Sequence, residues 1–554
     1  MTNMINKIKT GAGIVLSALL LTNTLSSCES RLEEKPYNFY GEDYYSSTHR
    51  LNMGLRGVYE VFSELNTYGQ YWMVYDTDTD IAHVNGANLG HVARDLGHYN
   101  AYANHPWLEQ SWGAYYSGIN RANLLLENAH KVKVEADAKD TVLYHNYIAE
   151  TKAMRALAYF DLVRLFGDIP LKTEHSEATS NFKLPRTNAE EIYDFIIDEL
   201  NEAIPNLFNY DEYPGGFVGR MSKTAAQAML ARVYLFKAGY KLTVDGKMER
   251  PANYKEYYQK VVEMADAVIN SGKHELNPSY EQIFRNMCEL KFEPKENMFE
   301  IQFFNPVGAN RHVSNQGTYN GPSIHQNSQY GRANSFIKTL GTFAAIFEKD
   351  DLRKEVAIAD WQINKDDQVK KINAKKSFQW APGKWRRNWQ TAEIKDMNNT
   401  DVNVVVMRYA DVLLMKAEAL NEVNDGPTAE AIKLVNQVRH RAFGKEIDGT
   451  MKRDLKVGDF DHDSFLNEII NERARELCFE GGRRMDLVRW NKLGEKLQET
   501  KEELAKLISE GHLEKFNYMA GDNFVAGKHE LYPIPNYEIR ETGAGWKQNN
   551  GYTE

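Results

Sequence analysis

Apolar residues recur at three- and four-residue spacing through seven stretches of this chain: Tyr147 to Phe166, Glu190 to Ile204, Lys223 to Ala238, Tyr254 to Ile269, Tyr409 to Val423, Pro427 to Ala442 and Phe465 to Phe479. That period gathers the apolar side chains on one face of an α-helix, which then has to be buried against a neighbour. The punctuation agrees, because Gly167, Gly239 and Gly272 follow predicted helix ends and Pro427 suits a first turn. Three of the helices repeat a small motif, Met154-x-Ala156-x-x-Tyr159, Met229-x-Ala231-x-x-Tyr234 and Met415-x-Ala417-x-x-Leu420, and each is followed by a second amphipathic helix. Alanine at a crossing lets two backbones approach while the larger side chains fill the groove, so the units read as tetratricopeptide-like hairpins. Their irregular spacing leaves generic helix packing as the alternative. The pattern predicts a predominantly α fold with little sheet.

Two regions interrupt the helical period. Tyr71 to Pro106 carries the alternating acids Asp76, Asp78 and Asp80 and then Asn, Gly, His and aromatic residues. Glu300 to Thr400 holds Trp361, Trp380, Trp385 and Trp389, four of the nine tryptophans. Long irregular segments on a helical frame are where binding residues concentrate.

The amino-terminal end has a different texture. Lys7 and Lys9 precede an apolar run, Ile14 to Leu21, and the run ends at Leu25-Ser26-Ser27-Cys28. A positive start, a short apolar middle and small residues are the parts of a secretory signal, here residues 1–27, and the run is too short to span a bilayer. An apolar residue, two small ones and cysteine resemble a bacterial lipobox, in which Cys28 carries lipid and becomes the first mature residue. Two or three acyl chains hold a protein at a membrane stably where one does not. The polar stretch Glu29 to Pro36 then reads as a spacer. Of the two remaining cysteines, Cys288 and Cys478 lie in helix-like segments and read as buried free thiols, with pairing as the alternative.

Composition narrows the chemistry. A formal charge of -10 opposes nucleic-acid binding, which needs a basic surface to displace counterions, and neutral ligands fit better. No phosphate loop, dinucleotide fingerprint, nucleophile elbow or zinc-helix motif occurs. Asp76-x-Asp78-x-Asp80 opens like a calcium loop, but Ile81 and Ala87 stand where the turn glycine and the bidentate glutamate belong, so neither a metal nor a cofactor is expected. Those acids read either as a solvated loop or as acceptors for sugar hydroxyls. Sugar binding needs an aromatic face against the C–H face of a pyranose, flanked by side chains that hydrogen-bond its hydroxyls. Trp72, Tyr75, Tyr319, Tyr330 and Trp361 have such company in Asp80, His83, Asn85, Arg94 and Arg332, and these ten are the candidate glycan-binding residues. Trp112 has helical spacing and is assigned to the core.

The segment Glu472-Arg473-Ala474-Arg475-Glu476, continuing through Glu480-Gly481-Gly482-Arg483-Arg484-Met485-Asp486 to Trp490, closely resembles the hallmark of the SusD/RagB family of outer-membrane lipoproteins. Four further segments resemble that family in the expected order: Trp112 to Asn123, Glu150 to Pro170, Arg408 to Ala419, and Leu531-Tyr532-Pro533-Ile534-Pro535 ending at Gln548-Asn549. The resemblance implies a lipid-anchored surface protein without enzymatic activity, whose parts 28–240 and 241–554 form one globular unit. It also implies a partner, a SusC-like TonB-dependent β-barrel that receives captured oligosaccharide. The alternatives are a surface glycoside hydrolase, a peptide-binding lid or a protein adaptor. The mixed charges of Glu472, Arg473, Arg475, Glu476, Glu480, Arg483, Arg484 and Asp486 read as a paired scaffold.

Overall fold

The computed structural model describes residues 44–134, 138–177, 180–216, 219–304, 312–390, 398–543 and 545–553. Cys28 and the signal-like run before it lie outside the described residues. Ten helices carry the argument: α1 (Thr48–Glu60), α2 (Pro106–Asn128), α3 (Ala138–Phe166), α4 (Ala189–Ala203), α5 (Lys223–Ala238), α6 (Tyr254–Asn270), α7 (Tyr409–Asn424), α8 (Ala429–Ala442), α9 (His462–Leu477) and α10 (Arg483–Arg489). Each of α1 to α8 packs on the next, and α7 also packs on α9.

The helices start where short polar side chains can accept an orphan backbone N–H. Asn188 caps α4, Ser222 caps α5, Thr428 caps α8 and Asp461 caps α9. Pro427 therefore precedes the cap of α8 instead of opening its first turn. Helix α3 begins at Ala138, two turns before the apolar period, because Tyr144 and Tyr147 pack on a small cluster of Leu51, Leu55 and Leu125. Met154, Ala156, Tyr159, Met229, Ala231, Met415 and Ala417 are all buried in one continuous core that runs from Val58 to Trp546. Trp112 sits in that core, as its spacing requires. Cys288 and Cys478 are buried free thiols, and burial pushes them up to about 12 and about 11.

Sheet among the described residues is confined to two-stranded ladders. Six strands matter here: β1 (Ala82–Val84), β2 (Asn297–Ile301), β3 (Ile337–Thr339), β4 (Trp361–Ile363), β5 (Val369–Lys371) and β6 (Val404–Arg408). The antiparallel pairs are β1 with β3, β2 with β6, and β4 with β5. Ile324 bridges both Ala333 and Ile363, which ties the loop before β3 to β4. The segment from Tyr71 to Pro106 is less irregular than its sequence: besides β1 it forms short helices at Tyr71–Tyr75 and Val92–Gly97. Elements of five or six residues are too short to display a period.

Candidate functional site

Glu472 and Glu476, one turn apart on α9, are fully buried among guanidinium groups. Glu472 meets Arg353 at 2.6 Å and Arg475 at 2.8 Å, and Glu476 meets Arg441 at 2.7 Å, Arg408 at 3.0 Å and Arg353 at 3.2 Å. Burial alone would raise both carboxyls, but the arginines outweigh it and hold each at about 2. Arg473 joins Asp411 (2.6 Å) to Asp486 (2.8 Å), and Glu480 receives Arg408 (2.7 Å) and Lys384 (2.5 Å). Arg484 differs from the expected pairing: it donates to the His529 carbonyl and lies over the Tyr532 ring at 4.5 Å, with no carboxylate partner among the described residues.

Between α9 and α10 the chain turns through Phe479 (φ 64°) and Gly481 (φ 80°). A β-carbon at Gly481 would fall 1.0 Å from the Trp72 ring, so the position requires glycine for both its backbone angle and its contact. Trp72 thereby lines an inner cleft of about 1060 Å³, measured out to solvent. The arginines of that cleft are largely engaged: Arg164 with Asp161, Arg232 and Arg473 with Asp411, Arg408 with Glu480, and Arg483 with Asp80. Its charged lining is thus committed to the frame, while the buried Trp72 indole N–H has no hydrogen-bond partner among the described residues.

The three alternating acids belong to that frame too. Asp76 accepts the backbone N–H of Arg483 and of Arg484 (3.1 and 2.7 Å), and burial raises its carboxyl to about 7 against those two donors. Asp78 meets His98 Nδ1 at 2.5 Å and accepts from the Val84 N–H at 2.6 Å. Asp80 holds Arg483 through both carboxylate oxygens. This corrects two readings: Asp80 is neither a solvated acid nor a free acceptor for sugar. Tyr75 and His83 are likewise interior. The Tyr75 hydroxyl meets Ser111 at 2.6 Å beneath Tyr532, and both ring nitrogens of His83 face backbone carbonyls, of Val84 and Phe378, at 2.9 Å. Burial lowers the His83 imidazole below its usual value.

The remaining candidates gather on a different face, around the short ladders. Asn85 continues β1, its N–H reaching the Phe336 carbonyl (2.9 Å), and Arg94 reaches back to the Asn85 carbonyl (2.8 Å). Tyr319 packs beside Phe336 at 5.5 Å. Trp361 opens β4, partly exposed, over a small cluster of Ile324, Ala333, Ile363 and Tyr330, with the Arg386 guanidinium 5.4 Å from its ring. Arg332 is half-buried, and its carbonyl accepts from Arg387.

Asn85 and Trp361 wall a pocket of about 560 Å³, measured out to solvent. Its other walls are Ser323, Asn334, Lys338, Gln362, Ile372, Gln379 and Ala381. The Asn334 amide oxygen is buried and has no hydrogen-bond partner among the described residues, an acceptor open to a donor. One aromatic face with four amides and a hydroxyl around it can hold a polyhydroxylated ring. Sequence reasoning found two of these walls and missed seven. Gln362 could have been found as the neighbour of Trp361, whereas Asn334 and Lys338 come from one segment and Gln379 from another, with no shared pattern.

Residues 310–552 match the sequence profile of the SusD family, and residues 31–235 match a profile described as starch-binding associating with outer membrane. A SusD-like protein, P25, from Formosa agariphila is 26% identical over 95% of this chain and 97% of its own length. The starch-binding protein SusD of Bacteroides thetaiotaomicron is 24% identical over 73% of this chain and 72% of its own. Among solved structures, a SusD homolog from Bacteroides thetaiotaomicron superposes with a TM-score of 0.83 at 29% identity, covering 92% of this chain and 98% of the other. The buried signature of α9 and α10, the helical order and these matches agree: the chain belongs to the SusD/RagB family.

Proposed function

We propose that this protein captures glycan without altering it, in the pocket walled by Trp361 and Asn85, and passes it to a SusC-like TonB-dependent β-barrel. Lipid on Cys28 holds it at the outer membrane, facing the exterior. The observation that carries the reading is the partly exposed Trp361 ring over walls of amide and hydroxyl groups. A pyranose stacks its C–H face on such a ring while its hydroxyls exchange hydrogen bonds with the amides. Starch binding in a relative's name and in one matching profile supports the same ligand class. Tyr330, packed in one cluster with Trp361, and Arg94, bonded to the Asn85 carbonyl, adjoin the pocket walls and extend the surface along which a longer chain could lie.

Isothermal titration against soluble polysaccharides tests the reading. Binding by the mature chain should weaken at least several-fold in Trp361→Ala, since one stacked ring contributes about 1 kcal/mol beyond the area it buries. The bound polysaccharide should gain no reducing ends on prolonged incubation. Sustained release of new ends would make the protein a hydrolase instead. Cys28→Ala should move the protein out of the membrane fraction, and detergent extracts of the unaltered protein should co-isolate a β-barrel. Absence of glycan binding across the panel would overturn the proposal.

A further inference from the structure

Four lysines are buried among the described residues: Lys237, Lys338, Lys384 and Lys416. Three of them are neutralised. Lys237 meets Asp194, Lys384 meets Glu480, and Lys416 meets both Asp266 and Glu430. Lys338, 7% exposed, is the exception: its ammonium donates to the Ser335 hydroxyl at 2.8 Å and pairs with no carboxylate among the described residues. It is also the only charged residue lining the Trp361 pocket, which contains no acid. Burial alone lowers its ammonium to about 8, the mark of a cation without a counter-charge.

The rim has the same sign. Strand β5 sets Lys371 opposite Trp361 and Lys370 opposite Gln362. The segment 369–376 contains Lys370, Lys371, Lys375 and Lys376 and no acid, on a chain whose formal charge is -10. Lys371 meets Asp360 and Lys376 meets Glu514, but both are exposed pairs of the kind that contribute little. Opposite Lys338 across the ladder stands His83, which burial disfavours as a cation. The groups around the ammonium therefore leave one charge to be compensated from inside the pocket.

We propose that this pocket selects glycans carrying an acidic group, a uronate carboxylate or a sulfate ester, and that Lys338 is the residue that pairs with it. The inference rests on the glycan-binding reading above. A neutral sugar leaves a buried ammonium unpaired, whereas an anion enters a site already desolvated, where the attraction is strong. Asn334 supplies the complementary acceptor for a neighbouring hydroxyl, so the pocket reads an acidic sugar and not a bare anion. The lysines of β5 and the following turn add a longer-range attraction that salt screens.

Two matched pairs of ligands test this on the mature chain by isothermal titration at pH 7 and low salt: oligogalacturonate against its methyl ester, and a chondroitin sulfate oligosaccharide against the same oligosaccharide chemically desulfated. The acidic member of at least one pair should bind about tenfold more tightly, a charge-pair effect of ordinary size. Which pair responds distinguishes carboxylate from sulfate. In Lys338→Met the preference should fall below about threefold, and Lys338→Arg, which keeps the charge, should retain part of it. Thermal unfolding of both variants verifies folding, and methionine in place of an unpaired buried cation should not lower stability. Equal binding within both pairs, or a preference that survives Lys338→Met, overturns the inference. If the neutral members bind and Trp361→Ala weakens them while no acidic preference exists, the glycan reading stands and this one fails. If none of the four ligands binds, this inference fails, and the wider polysaccharide panel decides the glycan reading.

Discussion

The signature region and the ladder face solve the problem of buried polarity in opposite ways. Around α9 nearly every ion has a partner, so that Glu476 alone sits between three arginines and Arg473 between two aspartates. Around β3 and β4 the pocket keeps an amide oxygen without a donor and a lysine without an acid among the described residues. Satisfied polarity fixes a shape, while unsatisfied polarity is available for a ligand to complete. The contrast indicates where to look for binding in this chain: away from its most charged interior.

The largest test of that contrast is Glu476→Ala. It takes a shared carboxylate from three buried guanidinium groups, which keep only their other acids: Asp351 and Glu472 for Arg353, Glu296 and Glu480 for Arg408, and Glu296 for Arg441. The substitution should cost about 3–5 kcal/mol by urea unfolding, as breaking a buried pair does. A loss below about 1 kcal/mol would mean that solvent reaches the cluster. Acid titration comes next. Glu472 and Glu476 ionise at about 2 in the folded chain against 4.5 in their ordinary state, so their stabilisation is complete above about pH 4.5 and is lost as pH falls toward 2. Urea midpoints at pH 7, 4 and 2.5 should decline in that window, and less steeply in Glu472→Gln, which has lost one of the two linkages. Gln362→Ala and Asn85→Ala should do the reverse: these exposed side chains should shift stability by within about 0.5 kcal/mol, and glycan affinity should drop a few-fold, the worth of about 1 kcal/mol per hydrogen bond. The smallest expected effect is chemical. Cys288 and Cys478, with thiols pushed far above neutrality, should resist alkylation at pH 8 until the protein is unfolded, which a thiol-counting assay reads directly.

The frame was written in the sequence because helices of fourteen residues or more repeat a period often enough to be recognised. The Met-x-Ala units are buried as their spacing requires, and the mixed charges from Glu472 to Asp486 pair, with Arg484 the exception. The ladder face was only half legible. Strands of three residues carry no alternation, so Tyr75 and His83 looked like surface candidates yet turned inward. The acids at 76, 78 and 80 gave no sign that His98 and the turn before α10 would claim them. The pocket draws on residues 85, 323, 334–338, 361–362 and 372–381, and only the fold brings these together.

Asp76, Asp78 and Asp80 fasten the segment leading into β1 to the start of α10, to His98 and to Arg483. Through β1, the wall that presents Asn85 is bolted to the paired charges around α9 and α10. On the proposed reading, a glycan arriving there would meet a wall already fastened, with little loop motion to arrest. Few contacts are then enough to discriminate between one sugar and the next.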